Sequence, residues 1–353
     1  IYTIYEDYSY ITIRSILFKI LSIVLLFVLI KKPEDYLWYA AITVFASVGS
    51  NILNYIHAKK FCDIKLVKDP NWKYHLKPIL IIFASSVAVT LYVSSDTTIL
   101  GLLKNDYAVG IYSISVKIYQ MAGGLLSAML MVTIPRLAML FGKKRFKEFN
   151  NVLSEVLEIL SMLVLPLSIG LIMLSEDIIL IIAGNKYLPS VNSLRIISWG
   201  IIFSNFAMIF SDCVLIPAKR EAKVLKNTVI TGIINIVLNF ILIPFMSYDG
   251  TSLSTVVAEF TVMAMNGYSC RDIIKPVIFK KDTLKNLLDS IIGCIGIVVI
   301  CLLCDIGFKS LWLKTIFSVV LSVIMYGAIL ILLKNKNAYS MLDRAKMILK
   351  SKL

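Results

Sequence analysis

The amino-acid sequence predicts an all-α membrane protein that crosses a lipid bilayer about ten times. Of its 353 residues, 58% are hydrophobic and 16% are charged, and the mean hydropathy is +0.84. Soluble globular domains are about half apolar and a quarter charged. The charges are also clustered, leaving uncharged runs at 36–56, 78–95, 118–135, 227–248 and 315–333. These runs are close to the roughly 20 residues that a membrane-spanning helix needs.

Ten helices follow from these runs and from the apolar segments between the remaining charge clusters. Helices are the expected spans because a backbone exposed to lipid must satisfy its own hydrogen bonds. In chain order they are predicted at about 11–31, 36–57, 78–103, 108–135, 152–174, 190–216, 227–246, 250–270, 286–304 and 311–333.

Lys and Arg residues predict the orientation of these helices. The loops after the second, fourth, sixth and eighth helices, together with the C-terminal tail, hold 26 of them, and the opposite set of loops holds 7. Cytoplasmic loops carry the excess of Lys and Arg. We therefore expect both ends of the chain on the cytoplasmic side of a bacterial inner membrane. The net charge of +14 is assigned to this bias and not to a nucleic-acid partner.

An internal repeat is suggested by seven identical positions between residues 20–30 and 233–243. Apolar helices match easily by chance. If the match is real, the repeat unit has six helices. Residues 1–57 then end an N-terminal lobe that lacks its first four helices, in agreement with a chain that opens on Ile1, although processing also removes initiator methionines. Residues 58–77 are a cytoplasmic loop, 78–271 a six-helix lobe, 272–333 an extra helix pair and 334–353 a basic tail.

No soluble-enzyme motif, cofactor loop or metal-ligand cluster is present in the sequence, so no catalytic residue, metal or cofactor is predicted. The two histidines, His57 and His75, fall at a cytoplasmic helix end and in a cytoplasmic loop, where we interpret them as solvated or interfacial. Five of the six cysteines lie inside or at the ends of apolar runs, which favours a packing role over disulfides.

Charged residues at membrane depth are the strongest functional signal, because they are costly unless they are paired or face a polar cavity. Asp96 in the third helix and Lys117 in the fourth both lie roughly 12–15 Å below the outer surface at about 1.5 Å per residue. They either form a structural ion pair or line a cavity. Glu259 in the eighth helix either binds a proton or Na⁺, or is bonded to a neighbouring hydroxyl group.

Two other groups of residues are candidates for a role in transport. Arg14 and Lys19 in the first helix are cations that could bind a phosphate. Pro166 in the fifth helix and the pair Gly123 and Gly124 in the fourth are candidate hinges, and close helix packing is the alternative. Charged residues nearer helix ends, such as Glu158, are interpreted as interfacial.

Several segments resemble the Wzx-type polysaccharide-unit flippases of the multidrug/oligosaccharidyl-lipid/polysaccharide (MATE-like) exporter superfamily. They are 95–117 (SDTTILGLLKNDYAVGIYSISVK) with the helix-ending Ile-Pro-Arg at 134–136, 184–197 (GNKYLPSVNSLRII), 5–15 (YEDYSYITIRS) and 249–255 (DGTSLST). The resemblance covers essentially the whole chain, and its motifs indicate the family better than the substrate.

The resemblance implies two six-helix lobes around a central cavity, often with two additional C-terminal helices. It also implies transport of an undecaprenyl-pyrophosphate-linked oligosaccharide from the inner to the outer leaflet, coupled to an ion gradient. The expected partners are this lipid-linked oligosaccharide, membrane lipids, H⁺ or Na⁺, and polysaccharide polymerase machinery. Asp96 and Lys117 match the family's segment as candidate cavity residues.

Two alternatives remain open at the level of sequence. One is a lipid II or multidrug exporter of the same superfamily, which would have the same fold. The other is a membrane polysaccharide polymerase or ligase. Such an enzyme is expected to need a large outer loop that carries catalytic polar residues, whereas the longest outer loop here spans about 175–189.

Overall fold

The structure, a computed structural model, describes residues 8–32, 35–61, 76, 95–340 and 342–343. All regular elements within these ranges are helical, so the predicted all-α fold class is confirmed. The chain forms two compact units, Ile1–Pro78 and Ile79–Leu353.

The first unit is a pair of helices, α1 (Tyr8–Leu29) and α2 (Tyr36–Ala58). The Asp35 carboxylate accepts hydrogen bonds of 2.9 Å from the backbone N–H groups of Lys31 and Lys32. These two bonds hold the pKa of Asp35 below its ordinary value. The charged cluster between two apolar runs therefore becomes the turn of a helical hairpin, as predicted.

The second unit contains nine helices within the described residues, and its first helix is described only at 95–103. They are α3 (95–103), α4 (Asp106–Gly142), α5 (Phe146–Met173), α6 (Ser175–Ile182), α7 (Ser190–Met208), α8 (Glu221–Ser269), α9 (Arg271–Ile278), α10 (Lys281–Gly307) and α11 (Leu311–Leu332). A π-helical segment, Ile209–Leu215, continues α7.

The segment α8 (Glu221–Ser269) consists of two helices that meet at Ser247, whose φ of 51° and ψ of −129° are not helical. Asn239 bonds to Ser254, and Asn227 bonds to Asn266, so the two halves of α8 lie side by side. The helices predicted at 227–246 and 250–270 therefore form one hairpin.

Seven helices of the described part are long and apolar enough to span a membrane, or eight if α4, bent by 47° between residues 128 and 133, counts as one span. The predicted third helix, 78–103, lies mostly outside the described residues. The predicted end of the fourth helix at 135 is wrong, since α4 continues through Pro135 to Gly142. The eight-residue helices α6 and α9 were not predicted, because each is too short to produce a spanning signal.

The C-terminal helices α10 and α11 pack against each other and against α5. Glu158 of α5 is 8% exposed, and its carboxylate accepts hydrogen bonds from Thr283 and Asn337 at 2.9 Å. The interfacial interpretation of Glu158 is thus wrong, because the carboxylate joins α5 to the helix pair. At the opposite end, Lys314 of α11 contacts Asp177 at 2.8 Å and Asp305 at 2.9 Å.

Candidate functional site

Asp96 of α3 is 7% exposed and lies at the centre of a polar site in the second unit. Its Oδ1 accepts a hydrogen bond of 2.6 Å from the Asn239 side chain. Its Oδ2 accepts bonds from the hydroxyl groups of Thr255 at 2.6 Å and Tyr112 at 3.2 Å. Three helices, α3, α4 and α8, therefore deliver donors or acceptors to one point.

The second layer of the site orients Asn239. Its Oδ1 accepts a bond of 2.7 Å from Ser254, and its Nδ2 donates at 3.2 Å to Asn235. Ser95, the neighbour of Asp96, also donates to Asn235 at 3.4 Å. Asn239 is fully buried, and such a group must keep its hydrogen bonds satisfied, so these contacts fix the amide that faces Asp96.

The fold of α8 explains why these residues meet. Asn235 and Asn239 are four residues apart, one helical turn, and so lie on the same face of the first half. Thr255 and Glu259 have the same spacing on the second half. Because the chain turns back at Ser247, both faces approach α3 and α4.

A cavity of about 160 Å³ opens beside Asp96. This volume is large enough to hold water. The residues that line it are Asp96, Thr97, Tyr112, Val116, Tyr119, Gln120, Ile197, Thr255 and Glu259. The structure therefore brings two of the predicted candidates, Asp96 and Glu259, to one cavity.

The atoms around Asp96 are suited to a small monovalent cation. Carboxylate and hydroxyl oxygens are among the ligands that hard cations prefer, and a buried carboxylate is also a proton acceptor. The Asn239 amide faces Asp96 with its nitrogen, which donates to the carboxylate. No group of three or more His, Cys, Asp or Glu residues that could hold a metal ion occurs in the described part of the chain.

Lys117 does not join this site. Its side chain is exposed, and it makes neither a hydrogen bond nor an ion pair with any residue that the structure describes. The ion pair with Asp96, one of the two alternatives from the sequence, is therefore wrong in this structure. Val116 and Gln120 line the cavity, whereas Lys117 lies on another face of α4.

The cations of the first unit have different environments. Arg14 is 7% exposed, and its guanidinium donates to the Ser50 carbonyl at 2.7 Å and to the Ser15 hydroxyl at 3.3 Å. Lys19 is exposed. Of the two, Lys19 keeps a side chain accessible for a phosphate, and Arg14 joins α1 to α2.

The hinge candidates lie within continuous helix. Pro166 is inside α5 and lines an apolar cavity of about 410 Å³ between α5, α10 and α11. Gly123 and Gly124 precede the bend of α4, and an added Cβ at either would meet nothing within 4 Å. Close packing at these glycines, the alternative from the sequence, is therefore not seen, and the hinge role stays a prediction.

Sequence reasoning missed the polar partners of Asp96. Asn235, Asn239, Thr255 and Tyr112 are uncharged, so a search for charges at membrane depth does not find them. The available signal was a pair of asparagines four residues apart inside an apolar helix. Such residues within a membrane bond across helices or line a cavity.

Comparisons with known proteins agree with this architecture. Residues 1–141 match the family described as polysaccharide biosynthesis protein, and residues 82–241 match the family described as MatE. The predicted resemblance to the exporter superfamily is confirmed. A Shigella dysenteriae relative, provisionally named an O-antigen transporter, is 24% identical over 262 residues, which cover 73% of this chain and 65% of the relative.

The fold itself resembles a solved membrane protein. The lipid II flippase MurJ in an inward closed conformation matches with a TM-score of 0.64 and 18% identity, over 82% of this chain and 61% of that one. This likeness shows the fold. Together with the apolar helices and the matched families, it makes the chain a multi-pass membrane protein. The chain spans under two thirds of the length of either relative.

Proposed function

We propose that this chain transports lipid-linked oligosaccharide repeat units across the bacterial cytoplasmic membrane for polysaccharide biosynthesis, as a flippase and not as an enzyme. The matched families and the O-antigen transporter relative support the substrate class. The single observation that carries a transport mechanism is the buried Asp96 site, a charge held at membrane depth beside a cavity. Such a charge is costly in a bundle that only needs to pack.

The coupling ion, H⁺ or Na⁺, acts in this proposal at Asp96, with Glu259 as a second carboxylate in the same cavity. An ion at Asp96 would compete with the Thr255, Tyr112 and Asn239 donors for the carboxylate. Binding and release would then change how α3, α4 and α8 are held together. Coupling requires this kind of differential contact between two states.

The proposed orientation places both chain ends and the basic loops in the cytoplasm. In this proposal residues 78–271 form the six-helix lobe. Residues 272–333 form the additional helix pair, which moves with that lobe. Lys19 and Lys117 are proposed to attract the pyrophosphate of the substrate from exposed positions. Pro166, Gly123 and Gly124 are proposed hinges, and the polymerase machinery is the proposed receiver of the product.

A lipid II exporter is the second candidate, because the solved structure that this fold resembles is a lipid II flippase. A multidrug exporter would share the fold and the ion site. A polymerase or ligase is disfavoured, because the segment between α5 and α7 consists of a short helix and a turn.

The experiment is gene deletion followed by complementation with the complete gene product. Cells without the gene should accumulate lipid-linked oligosaccharide and lose surface polysaccharide, and the wild-type gene should reverse both. Asp96→Asn should fail to complement, while Asp106→Asn, an exposed carboxylate at the start of α4, should complement. Unchanged polysaccharide in the deletion strain would refute the proposed substrate class.

Lys117 is tested separately by substitution with alanine. The side chain is exposed and outside the cavity, so the fold should tolerate the change. A proposed role in attracting pyrophosphate predicts slower flipping with normal expression. Flipping at the wild-type rate would refute the proposed role of Lys117 in attracting the pyrophosphate.

A further inference from the structure

The buried face of the first half of α8 is polar from Asn227 to Asn239. Asn227, Thr231, Asn235 and Asn239 follow each other at intervals of four residues, and each is at most 5% exposed. The opposite face of the same helix is apolar and exposed, for example at Ile233 with 57%. This polarity is the reverse of a soluble amphipathic helix, and it places a polar stripe inside a membrane bundle.

Two members of this polar stripe each leave one polar side-chain atom unpaired. The Thr231 hydroxyl and the Asn235 side-chain nitrogen have no hydrogen-bond partner among the residues that the structure describes, although both side chains are 1% exposed. An unpaired buried polar group is costly. Native proteins commonly satisfy such groups with buried water when the site is polar.

The two ends of the polar stripe have different neighbours. Asn239 donates to Asp96 at one end. At the other end, Asn227 donates to Asn266 at 2.9 Å and to Ser269 at 3.1 Å, close to the basic loop that holds Arg220. Twelve residues separate the ends, which is about 18 Å along a helix axis.

We propose that the polar stripe lines a water-filled path along which the coupling cation moves between Asp96 and the basic, cytoplasmic end of α8. The unpaired Thr231 and Asn235 atoms bond to water inside this path. Asn227, which contacts Asn266 and Ser269, lies at its cytoplasmic entrance. The path rests on the proposed function, since it supplies the Asp96 site with its ion.

Packing alone does not account for the stripe. Polar residues that only join helices are expected to bond across the interface, as Asn227 does with Asn266. Thr231 and Asn235 each leave a polar atom without a protein partner instead. A hydrated path explains both the regular spacing and the unpaired atoms.

The test is cysteine accessibility in the complete protein with its native cysteines replaced. Single cysteines are placed on the polar stripe (Thr231→Cys, Asn235→Cys) and on the apolar face (Ile233→Cys, Val237→Cys). Inside-out membrane vesicles are treated with a charged, membrane-impermeant thiosulfonate. Only a hydrated thiol ionises and reacts, so the stripe cysteines should react at least about tenfold faster than the apolar-face cysteines. Lys223→Cys, exposed in the first turn of α8, is the positive control.

The outcomes separate this inference from the proposed function, because labelling is measured without transport. Equal rates on the two faces, or no labelling at Thr231→Cys and Asn235→Cys while Lys223→Cys reacts, would overturn the path. If a cysteine variant fails to fold, transport by the Thr231→Val variant tests the path instead. The path predicts at least a tenfold loss of transport with stability retained, because the hydroxyl has no protein partner to lose among the described residues. Retained transport in Thr231→Val would also overturn the path.

Discussion

Replacing Thr255 with valine removes one hydroxyl from the Asp96 site and keeps the shape of the side chain. That hydroxyl lies 2.6 Å from the Asp96 carboxylate, 2.9 Å from the Thr251 carbonyl oxygen one turn earlier and 3.3 Å from the Tyr112 hydroxyl. Thr261 offers a matched control on the same half of α8. Its hydroxyl bonds to the Val257 carbonyl at 2.7 Å, again one turn earlier. The difference between the two valine variants therefore measures what the hydroxyl gains from Asp96 and Tyr112 beyond its backbone contact.

The magnitude follows from the kind of bond that is lost. A hydrogen bond to a charged group contributes about 1.5–3 kcal/mol to stability in soluble proteins. Side-chain bonds inside membranes average about 0.6 kcal/mol and reach about 1.7 kcal/mol. We expect Thr255→Val to lower the free energy of unfolding by about 1 kcal/mol more than Thr261→Val, which is about fivefold in the unfolding equilibrium.

The assay is reversible unfolding in mixed detergent micelles, followed by circular dichroism. Combining Thr255→Val with Asp96→Asn provides a further check, since the additional loss should shrink once the carboxylate charge is gone. Equal losses for Thr255→Val and Thr261→Val would refute the reasoning, because the contact with Asp96 would then contribute nothing to stability.

Three further changes test other parts of the structure. Lys314→Met should lower the free energy of unfolding by about 3 kcal/mol, because it leaves the buried Asp177 carboxylate without its cation. Arg145→Met breaks an exposed ion pair and should change the free energy of unfolding by at most about 0.5 kcal/mol in the same assay. Gly250→Ala should cost about 1–3 kcal/mol, because its Cβ would lie 2.8 Å from the Leu242 carbonyl oxygen. In the open space around Gly327, alanine should be neutral or stabilising, and equal melting temperatures for the two alanine variants would contradict this packing. Arg220 lowers the pKa of Asp272 below its ordinary value of 3.8, so this exposed pair should add at most about 1 kcal/mol near neutral pH and lose that contribution as the pH falls below 3.8. A stability difference between wild type and Asp272→Asn that did not shrink as the pH was lowered below 3.8 would contradict that assignment.

The fold was largely predictable because bilayer thickness constrains the length of apolar runs. The clusters of charged residues separated the helices at nearly the positions found. The hairpin of α8 was predicted as two spans, but the reversal of the chain at the single residue Ser247 was not. A single residue with positive φ reverses the chain there, and serine gives no sign of that conformation in the sequence.

The site was only partly predictable, because sequence gives the depth of a residue more readily than its direction. Asp96 and Glu259 were chosen for depth, and both line the cavity. Lys117 was chosen on the same ground, but successive residues of a helix point about 100° apart, so its neighbour Val116 faces the cavity and Lys117 does not. Partners such as Asn239, 143 positions from Asp96, depend on helix packing that no local pattern reveals.

The central proposal, ion-dependent flipping of a lipid-linked oligosaccharide, is tested most directly at the outer leaflet. Spheroplasts of the deletion strain are prepared with the complete wild-type protein, with Asp96→Asn or with no protein. The fraction of lipid-linked oligosaccharide that an impermeant glycan-labelling reagent reaches is then measured in each. We expect labelling with the wild-type protein, and an unlabelled, accumulated pool in the other two strains. Equal labelling in all three strains would contradict the proposed function.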